Sequence, residues 1–196
     1  MNETTDLRLL QALRLRGRSD ASRVAESYGE DEAATADHLN RLAAQALVDE
    51  KNGTFVLSKA GESLRARLIA SERSQLDDSS LQALYADFSC VDPAFKRLVA
   101  DVQLGQIERA DAAQHLAPIH QQLQPLLDRA SALIPRLSLY ASRFQDALQA
   151  LQGGDGRYLA SPLVESYHSI WFEWHEELIQ TSGRTRAQES SKAEGG

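Results

Sequence analysis

Residues 47–61 read LVDEKNGTFVLSKAG, and they carry a strong local folding signal. Asn52-Gly53 lies between two short β-prone runs, and both residues tolerate the positive φ that a two-residue hairpin turn requires. Ser58 can then cap a helix that passes through Gly61 and continues to about Ser71. The stretch therefore predicts a β-hairpin followed by a helix.

Three helices are predicted before this hairpin, at residues 6–16, 21–28 and about 31–46. Their evidence is apolar side chains at helical spacing, with glycines as stop signals and Ser or Asp residues as caps. The predicted caps and stops are Gly17, Ser19 or Asp20, Gly29 and Asp31. The inward face of the third helix is predicted to contain Ala36, Leu39, Leu42, Ala43 and Ala46.

The order helix, helix, helix, hairpin, helix is that of a winged helix-turn-helix, in which the hairpin is the wing. The stretch also resembles the core pattern of MarR-like winged-helix regulators, in which an "L..L...GLV" helix end is followed by a wing and by "Y.LT..G". The matching residues are Leu39, Leu42, Leu47-Val48 and Phe55-Val56-Leu57-Ser58-Lys59-Ala60-Gly61. The resemblance covers about residues 7–70, and Ala46 stands where the family commonly has Gly. It implies a transcriptional regulator that binds DNA.

The third helix is the expected DNA reader, because in this fold it enters the major groove and its outward side chains touch base edges. Asn and Arg can make bidentate contacts with purines, and wing residues can contact the phosphate backbone. The predicted DNA-binding residues are Arg23, Thr35, His38, Asn40, Arg41, Lys51, Asn52 and Thr54. Glu32 and Asp37 oppose this prediction, since carboxylates on the same helix repel phosphates.

The charge of the chain is divided unevenly. The net charge is −7, but residues 1–75 hold 11 Lys+Arg and 12 Asp+Glu, whereas residues 76–196 hold 10 and 16. The first part is therefore close to neutral, and phosphate binding needs a local basic patch rather than a basic protein. The single cysteine, Cys90, excludes an internal disulfide framework and a Cys-based zinc site. The absence of a signal peptide or a membrane-spanning run predicts a cytoplasmic protein.

Residues 76–183 are predicted to be helical almost throughout and to form a second domain after the winged helix of residues 1–75. Pro93 is expected in the first turn of a new helix. Pro118, Pro125 and Pro135 are expected to kink or break the helices that contain them. The tail 184–196 loses hydrophobic periodicity and is predicted to be disordered. The predicted fold class is thus mainly α, with a small β-hairpin wing and an all-α second domain.

The last helix, predicted from Pro162 to about Thr181, is unusually aromatic. One face carries Val164, Tyr167, Trp171, Trp174 and Leu178, and Phe172 is expected to widen it. Such a face must be covered by the core, by a second subunit or by a ligand, because aromatic side chains bury large apolar areas. The sequence leaves open whether Tyr167, Trp171 and Trp174 form core, a dimer interface or a ligand pocket.

Motifs for catalysis or metal binding are weak. Glu165 and His168 form an E-x-x-H pair, but no second such pair is present. Gly153–Gly156 lacks the spacing of a phosphate-binding loop. We therefore expect that the protein is not an enzyme and that it binds neither a metal ion nor a cofactor. The predicted partners are double-stranded DNA, a second copy of the chain and a small-molecule effector. No interaction with a membrane is predicted. The alternative is a winged-helix protein-interaction or regulatory subunit that does not bind DNA.

Overall fold

The computed structural model describes residues 3–184, and the chain divides into two compact units after Gln75. In the described part of the chain, helices predominate and a small antiparallel sheet lies in the first unit. This confirms the predicted fold class. Each unit has its own hydrophobic core, so each is described by itself.

The N-terminal unit has the element order of a winged helix. Its elements are α1 (Glu3–Arg16), β1 (Ser19–Asp20), α2 (Ala21–Tyr28), α3 (Glu32–Ala44), β2 (Val48–Lys51), β3 (Thr54–Leu57) and α4 (Lys59–Ser74). Strands β2 and β3 form the predicted hairpin, and its turn residues Asn52 and Gly53 have φ of 54° and 73°. Sequence analysis missed β1, which adds to the other edge of β3 through the pair Ser19 and Phe55.

Side-chain caps fix where the helices of this unit begin. Asp20 accepts a hydrogen bond from the Arg23 amide at 2.9 Å, and Asp31 accepts one from the Ala34 amide at 2.9 Å. Each bond satisfies a backbone amide that has no partner within its helix. Two predicted caps, Asp20 and Asp31, are thereby confirmed, and Asp20 rather than Ser19 is the cap of α2.

The end of α3 differs from the prediction. The helix stops at Ala44 instead of continuing to Ala46, and Ala46 is exposed with a φ of 57°. This is left-handed backbone, which glycine adopts without steric cost and which strains an alanine. The inward face of α3 therefore lacks Ala46. Leu39 and Leu42 are fully buried as predicted.

The C-terminal unit consists of helices in the part that the structure describes. These are α5 (Asp78–Gln103), α6 (Ala112–Leu133), α7 (Leu139–Gln152), the short α8 (Arg157–Ala160) and α9 (Tyr167–Thr181), with a 3-10 turn at Pro135–Leu137. Gly105, with a φ of 72°, follows the end of α5. The core is built from one continuous cluster that includes side chains of all five helices.

Proline positions correct part of the sequence analysis. Pro93 lies inside the 26-residue helix α5 rather than at the start of a new helix, and Pro118 and Pro125 lie inside α6. All three prolines are exposed, so each ring projects into solvent while the buried stripe of its helix continues. Of the three prolines that were expected to kink or break a helix, only Pro135 follows a helix end, because α6 stops at Leu133.

The aromatic helix also begins later than predicted. Ser166 caps α9 by accepting a hydrogen bond from the Ser169 amide at 3.3 Å, so Pro162 and Val164 precede the helix. Phe172 is 47% exposed and does not widen the buried face. The phase of the helix explains this, because the residues on either side of it, Trp171 and Glu173, already turn inward.

Beyond α9, Arg184 is packed against the C-terminal unit. Its guanidinium lies 4.4 Å from the ring centre of Tyr85 and donates to the Gln82 side chain at 2.6 Å. The rest of the tail that was predicted to be disordered, residues 185–196, lies outside the described residues. Within residues 3–184, no helix has the length and apolar character needed to cross a membrane.

The strained backbone at Ala46 generates a stability prediction. We expect Ala46→Gly to raise the free energy of unfolding of the N-terminal unit by about 1 kcal/mol, because glycine relieves the left-handed strain. The matched control is Ala44→Gly at the last residue of α3, which should lower that free energy by about 0.5–1 kcal/mol. Hydrogen exchange of the β2 and β3 amides in the full chain would measure both. Equal signs for the two variants would contradict this account.

Candidate nucleic-acid interface

Helices α2 and α3 form the helix-turn-helix of the N-terminal unit. The turn between them is Gly29-Glu30-Asp31, and Gly29 has a φ of 61° that lets the chain reverse direction. Val24 of α2 lies in the same buried cluster as Leu39 and Leu42 of α3. Because the side of α3 that carries Leu39 and Leu42 is buried, the opposite side of the helix remains exposed.

The exposed side of α3 combines small residues with two long polar side chains. Its exposed residues are Glu32, Ala33, Ala34, Asp37, Asn40, Arg41 and Ala44. Three alanines leave the helix surface low around Asn40 and Arg41, which permits close approach of another surface. Asn and Arg are also the residues that contact adenine and guanine with two hydrogen bonds.

Thr35 and His38 are placed differently from the prediction. Thr35 was expected to face outward, but it is 4% exposed and belongs to the inward stripe with Leu39 and Leu42. His38 is half-buried, and its Nε2 lies 2.6 Å from a carboxylate oxygen of Asp6 in α1. The outward placement of Thr35 is therefore wrong, and His38 joins α3 to α1.

The wing presents Lys51 and Asn52 at its exposed tip, as predicted. Thr54 is half-buried, and its hydroxyl donates to the Lys51 carbonyl at 2.7 Å. The same hydroxyl accepts a hydrogen bond from the guanidinium of Arg18 at 3.2 Å. The side chain of Thr54 thus stabilises the hairpin and holds an arginine beside it.

Arg18 is the basic residue whose position sequence analysis did not predict. It directly precedes β1, and the pairing of β1 with β3 brings it to the wing. A two-residue strand has too few residues to show alternating hydrophobicity, so nothing in the sequence pattern indicated this pairing. The wing therefore carries two cations, Arg18 and Lys51.

Several basic side chains of this unit are not used internally. Within residues 3–184, the guanidinium groups of Arg23 and Arg41 and the ammonium group of Lys51 have no hydrogen-bond or ion-pair partner. All three residues are exposed. They come from α2, α3 and the wing, the elements from which winged helices contact DNA.

Some acidic residues of the unit bind backbone amides, and others remain exposed on α3. The carboxylates of Asp20, Asp31 and Glu50 accept hydrogen bonds from backbone amides, at 2.9, 2.9 and 2.7 Å respectively. These bonds stabilise helix starts and the wing turn, so the charges have a structural use. Glu32 and Asp37 remain exposed on α3 and are the groups that would repel a phosphate.

The aromatic residues Tyr167, Trp171 and Trp174 lie inside the core of the C-terminal unit. Trp171 stacks on Phe95 with ring centres 4.3 Å apart, and its indole N–H donates to Asp92 at 2.9 Å. The three side chains are at most 3% exposed. The chain's own side chains thus cover them, which supports the core interpretation over a pocket or an interface.

A histidine and a tyrosine form a buried polar contact in this core. The His120 Nδ1 and the Tyr167 hydroxyl are 3.1 Å apart. Burial lowers the pKa of His120 and raises the pKa of Tyr167, because both charged forms would lose their hydration. The contact therefore joins two neutral groups near neutral pH.

Two arginines of the C-terminal unit are neutralised within it. Arg143 donates to Glu165 and to Glu173, both at 2.6 Å, and Arg136 donates to Glu177 at 2.6 Å. Burial alone would lower the pKa of Arg143, but Glu173 and its other neighbours raise it above its ordinary value. Glu165 of the E-x-x-H pair is thus held by an arginine. Residues 3–184 contain no group of three His, Cys, Asp or Glu side chains suited to a metal ion.

Comparisons with protein-family models, with curated proteins and with solved structures found no match to this chain.

The packing of Trp171 can be tested by truncation. Trp171→Ala should lower the free energy of unfolding of the C-terminal unit by about 3–5 kcal/mol, the cost of truncating a buried Trp. The matched control is Phe172→Ala, which should cost less than about 1 kcal/mol because that ring is exposed. Urea unfolding followed by tryptophan fluorescence, which Trp174 still supplies in Trp171→Ala, would measure both. A stable Trp171→Ala variant would overturn the core interpretation.

Proposed function

We propose that this protein is a DNA-binding transcriptional regulator whose N-terminal unit contacts double-stranded DNA. The observation that carries the proposal is the exposed side of α3, where Asn40 and Arg41 stand among alanines and the Arg41 guanidinium has no partner among the described residues. The resemblance of residues 7–70 to MarR-like regulators agrees with this function.

In the proposed complex, α3 enters the major groove. Arg41 and Asn40 contact purine edges, and the short alanines let the helix backbone approach the bases closely. Ala33, Ala34 and Ala44 also offer methyl groups that fit against thymine methyls. Specificity in this proposal comes from α3.

Phosphate contacts come from α2 and the wing in the same proposal. Arg23 and Lys51 are exposed cations without a partner among the described residues. Arg18 lies beside the wing through its bond to Thr54. Such contacts position the protein along the duplex and make its affinity depend on salt.

The charge of the N-terminal unit determines how strongly it is expected to bind DNA without regard to sequence. Residues 1–75 carry a net charge of −1, from 11 basic and 12 acidic residues. Three of the carboxylates bond to backbone amides, which leaves Glu32 and Asp37 as the opposing charges on α3. We therefore expect modest non-specific affinity and a large dependence of specific binding on base contacts.

Further features belong to the same proposal. The regulator acts in the cytoplasm without enzymatic activity, and a homodimer places two α3 helices on half-sites about one helical turn apart. The C-terminal unit then serves dimerisation or the sensing of a small molecule.

A second candidate is a protein-interaction or regulatory subunit that does not bind DNA. Glu32 and Asp37 on the exposed side of α3 favour it, because they would attract a basic protein segment instead of a phosphate. Salt-dependent binding to DNA separates the two candidates. A full chain that selects no sequence from a random duplex pool, and binds no duplex at low salt, would support the second.

The first test of DNA reading is Arg41→Ala. It should weaken binding to the selected duplex by roughly 1–3 kcal/mol, the range for one bidentate base contact, and relax sequence preference at one position. Arg67→Ala on α4 is the matched control, since Arg67 is also an exposed arginine. Fluorescence anisotropy with the full chain would measure both. Equal affinities for wild type and Arg41→Ala would remove Arg41 from the reading residues.

The second test concerns the wing. Lys51→Ala should weaken binding to all duplexes to a similar degree and reduce the slope of log K against log salt by about one unit. The matched control is Lys59→Ala, an exposed lysine at the start of α4. A loss confined to the selected duplex would show instead that the wing reads bases. An unchanged salt slope would show that Lys51 contacts no phosphate.

A further inference from the structure

The C-terminal unit contains an open cleft of about 370 Å³, which lies in the size range of small-molecule sites. Its lining comes from the end of α5, the start of α6, α8 and the segment after α8. Val102, Ala112 and Leu159 supply buried apolar surface, and Leu163 lies at the cleft with 83% of its surface exposed. This exposure leaves apolar surface uncovered beside the cleft.

Two arginines line the cleft, and they differ in how they are held. Arg157 donates hydrogen bonds to both carboxylate oxygens of Asp155, at distances from 2.7 to 3.2 Å. Arg109 is exposed, and its guanidinium has no hydrogen-bond or ion-pair partner in the described part of the chain. One cation of the cleft is therefore neutralised, and the other is available to an anion.

Gly156 keeps the space beside Arg109 open. Its φ of −59° and ψ of −13° are accessible to any residue, so the backbone does not require glycine. A Cβ at this position would meet only the Cβ of Arg109, at 3.9 Å. Gly156, Arg109 and Arg157 also line an adjoining hollow of about 360 Å³. A longer side chain at residue 156 would therefore occupy free volume next to the unpaired guanidinium.

We propose that this cleft binds a small organic acid. The carboxylate pairs with the Arg109 guanidinium, whose planar set of donors matches a carboxylate with two parallel hydrogen bonds. The apolar part of the ligand lies against Val102, Leu159 and Leu163. A role as the effector site of the regulator rests on the proposed function. Binding of the acid itself does not require DNA binding and can be measured directly.

The test uses octanoate and its uncharged analogue octanamide as probes, titrated into the full chain by calorimetry. Octanoate should bind saturably, and octanamide should bind at least about tenfold more weakly, because a charge-assisted pair is lost. Arg109→Gln should weaken octanoate binding by about the same factor and leave octanamide unchanged. Arg97→Gln, an exposed arginine of α5 outside the cleft, is the matched control and should change neither.

A second variant tests the position of the site without touching its charge. Gly156→Leu should weaken the binding of both probes at least about tenfold, because the new side chain fills space beside Arg109. Circular dichroism checks that the variant is folded. If it is not, the comparison of Arg109→Gln with Arg97→Gln decides alone.

Several results would overturn the proposal. These are the absence of saturable octanoate binding, equal affinities for the acid and the amide, and an unchanged affinity in Arg109→Gln. Sedimentation of Leu163→Asp provides a further test. If this variant is a monomer and the wild type is a dimer, the surface beside the cleft is a dimer interface and not a ligand site. Octanoate binding by a chain that binds no DNA would support the cleft and reject the proposed function.

Discussion

The N-terminal unit depends on a close approach between the Leu47 carbonyl and Gly61. That carbonyl accepts hydrogen bonds from the Ser58 amide at 3.2 Å and from the Ser58 hydroxyl at 2.9 Å. A Cβ on Gly61 would lie 1.9 Å from the same oxygen, so a residue with a side chain would force the backbones apart. The junction joins the chain after α3 to the start of α4, and the hairpin lies between them. It therefore fixes where the wing begins relative to α3.

A different constraint holds the C-terminal unit together. Its aromatic core encloses charged groups, including the pair Arg136 and Glu177, whose side chains are 3% and 1% exposed. Buried ion pairs contribute little net stability, because the loss of hydration offsets their attraction. Loss of one partner, however, leaves an uncompensated charge in the core. Moving the 3-10 turn away from α9 would leave such a charge. The pair of Arg136 and Glu177 therefore favours one arrangement of these two elements.

Local signals explain what the sequence predicted well. Asn52-Gly53 between β-prone runs fixes the hairpin, and Asp20, Asp31 and Ser58 begin their helices, because each of these signals acts within a few residues. The sequence-based predictions were wrong where contacts between residues distant in sequence determine the structure. Strand β1 exists only because β3 pairs with it, and α5 continues through Pro93 because its buried stripe continues.

The candidate interface could be predicted only in part, for the same reason. Helical spacing places Asn40 and Arg41 outward, and it also places Thr35 inward, because Thr35 lies four and seven residues before the buried Leu39 and Leu42. The outward prediction for Thr35 therefore misapplied the helical period. The partner of His38 is Asp6, 32 residues away, so no local pattern indicated that bond. Arg109 is a still harder case. Its neighbours in the cleft, Gly156 and Arg157, lie more than 40 residues away in the sequence, so no local pattern indicated that they meet.

The acidic charge of the chain is compatible with DNA binding because position matters more than the total. Of the net charge of −7, the second part of the chain carries −6, from 10 basic and 16 acidic residues. Within the N-terminal unit, carboxylates at helix starts are bound to amides, while Arg23, Arg41 and Lys51 project freely within the described structure. In the proposed DNA complex, binding should be governed by the few groups at the surface of α3 and the wing, where Asp37 is the opposing charge nearest in sequence to Asn40 and Arg41. Its repulsion weakens contact with every duplex alike, whereas the gain from a matched base is made only at the right sequence. An acidic residue at this position would therefore lower the affinity of the proposed complex for every duplex without changing its preference between sequences.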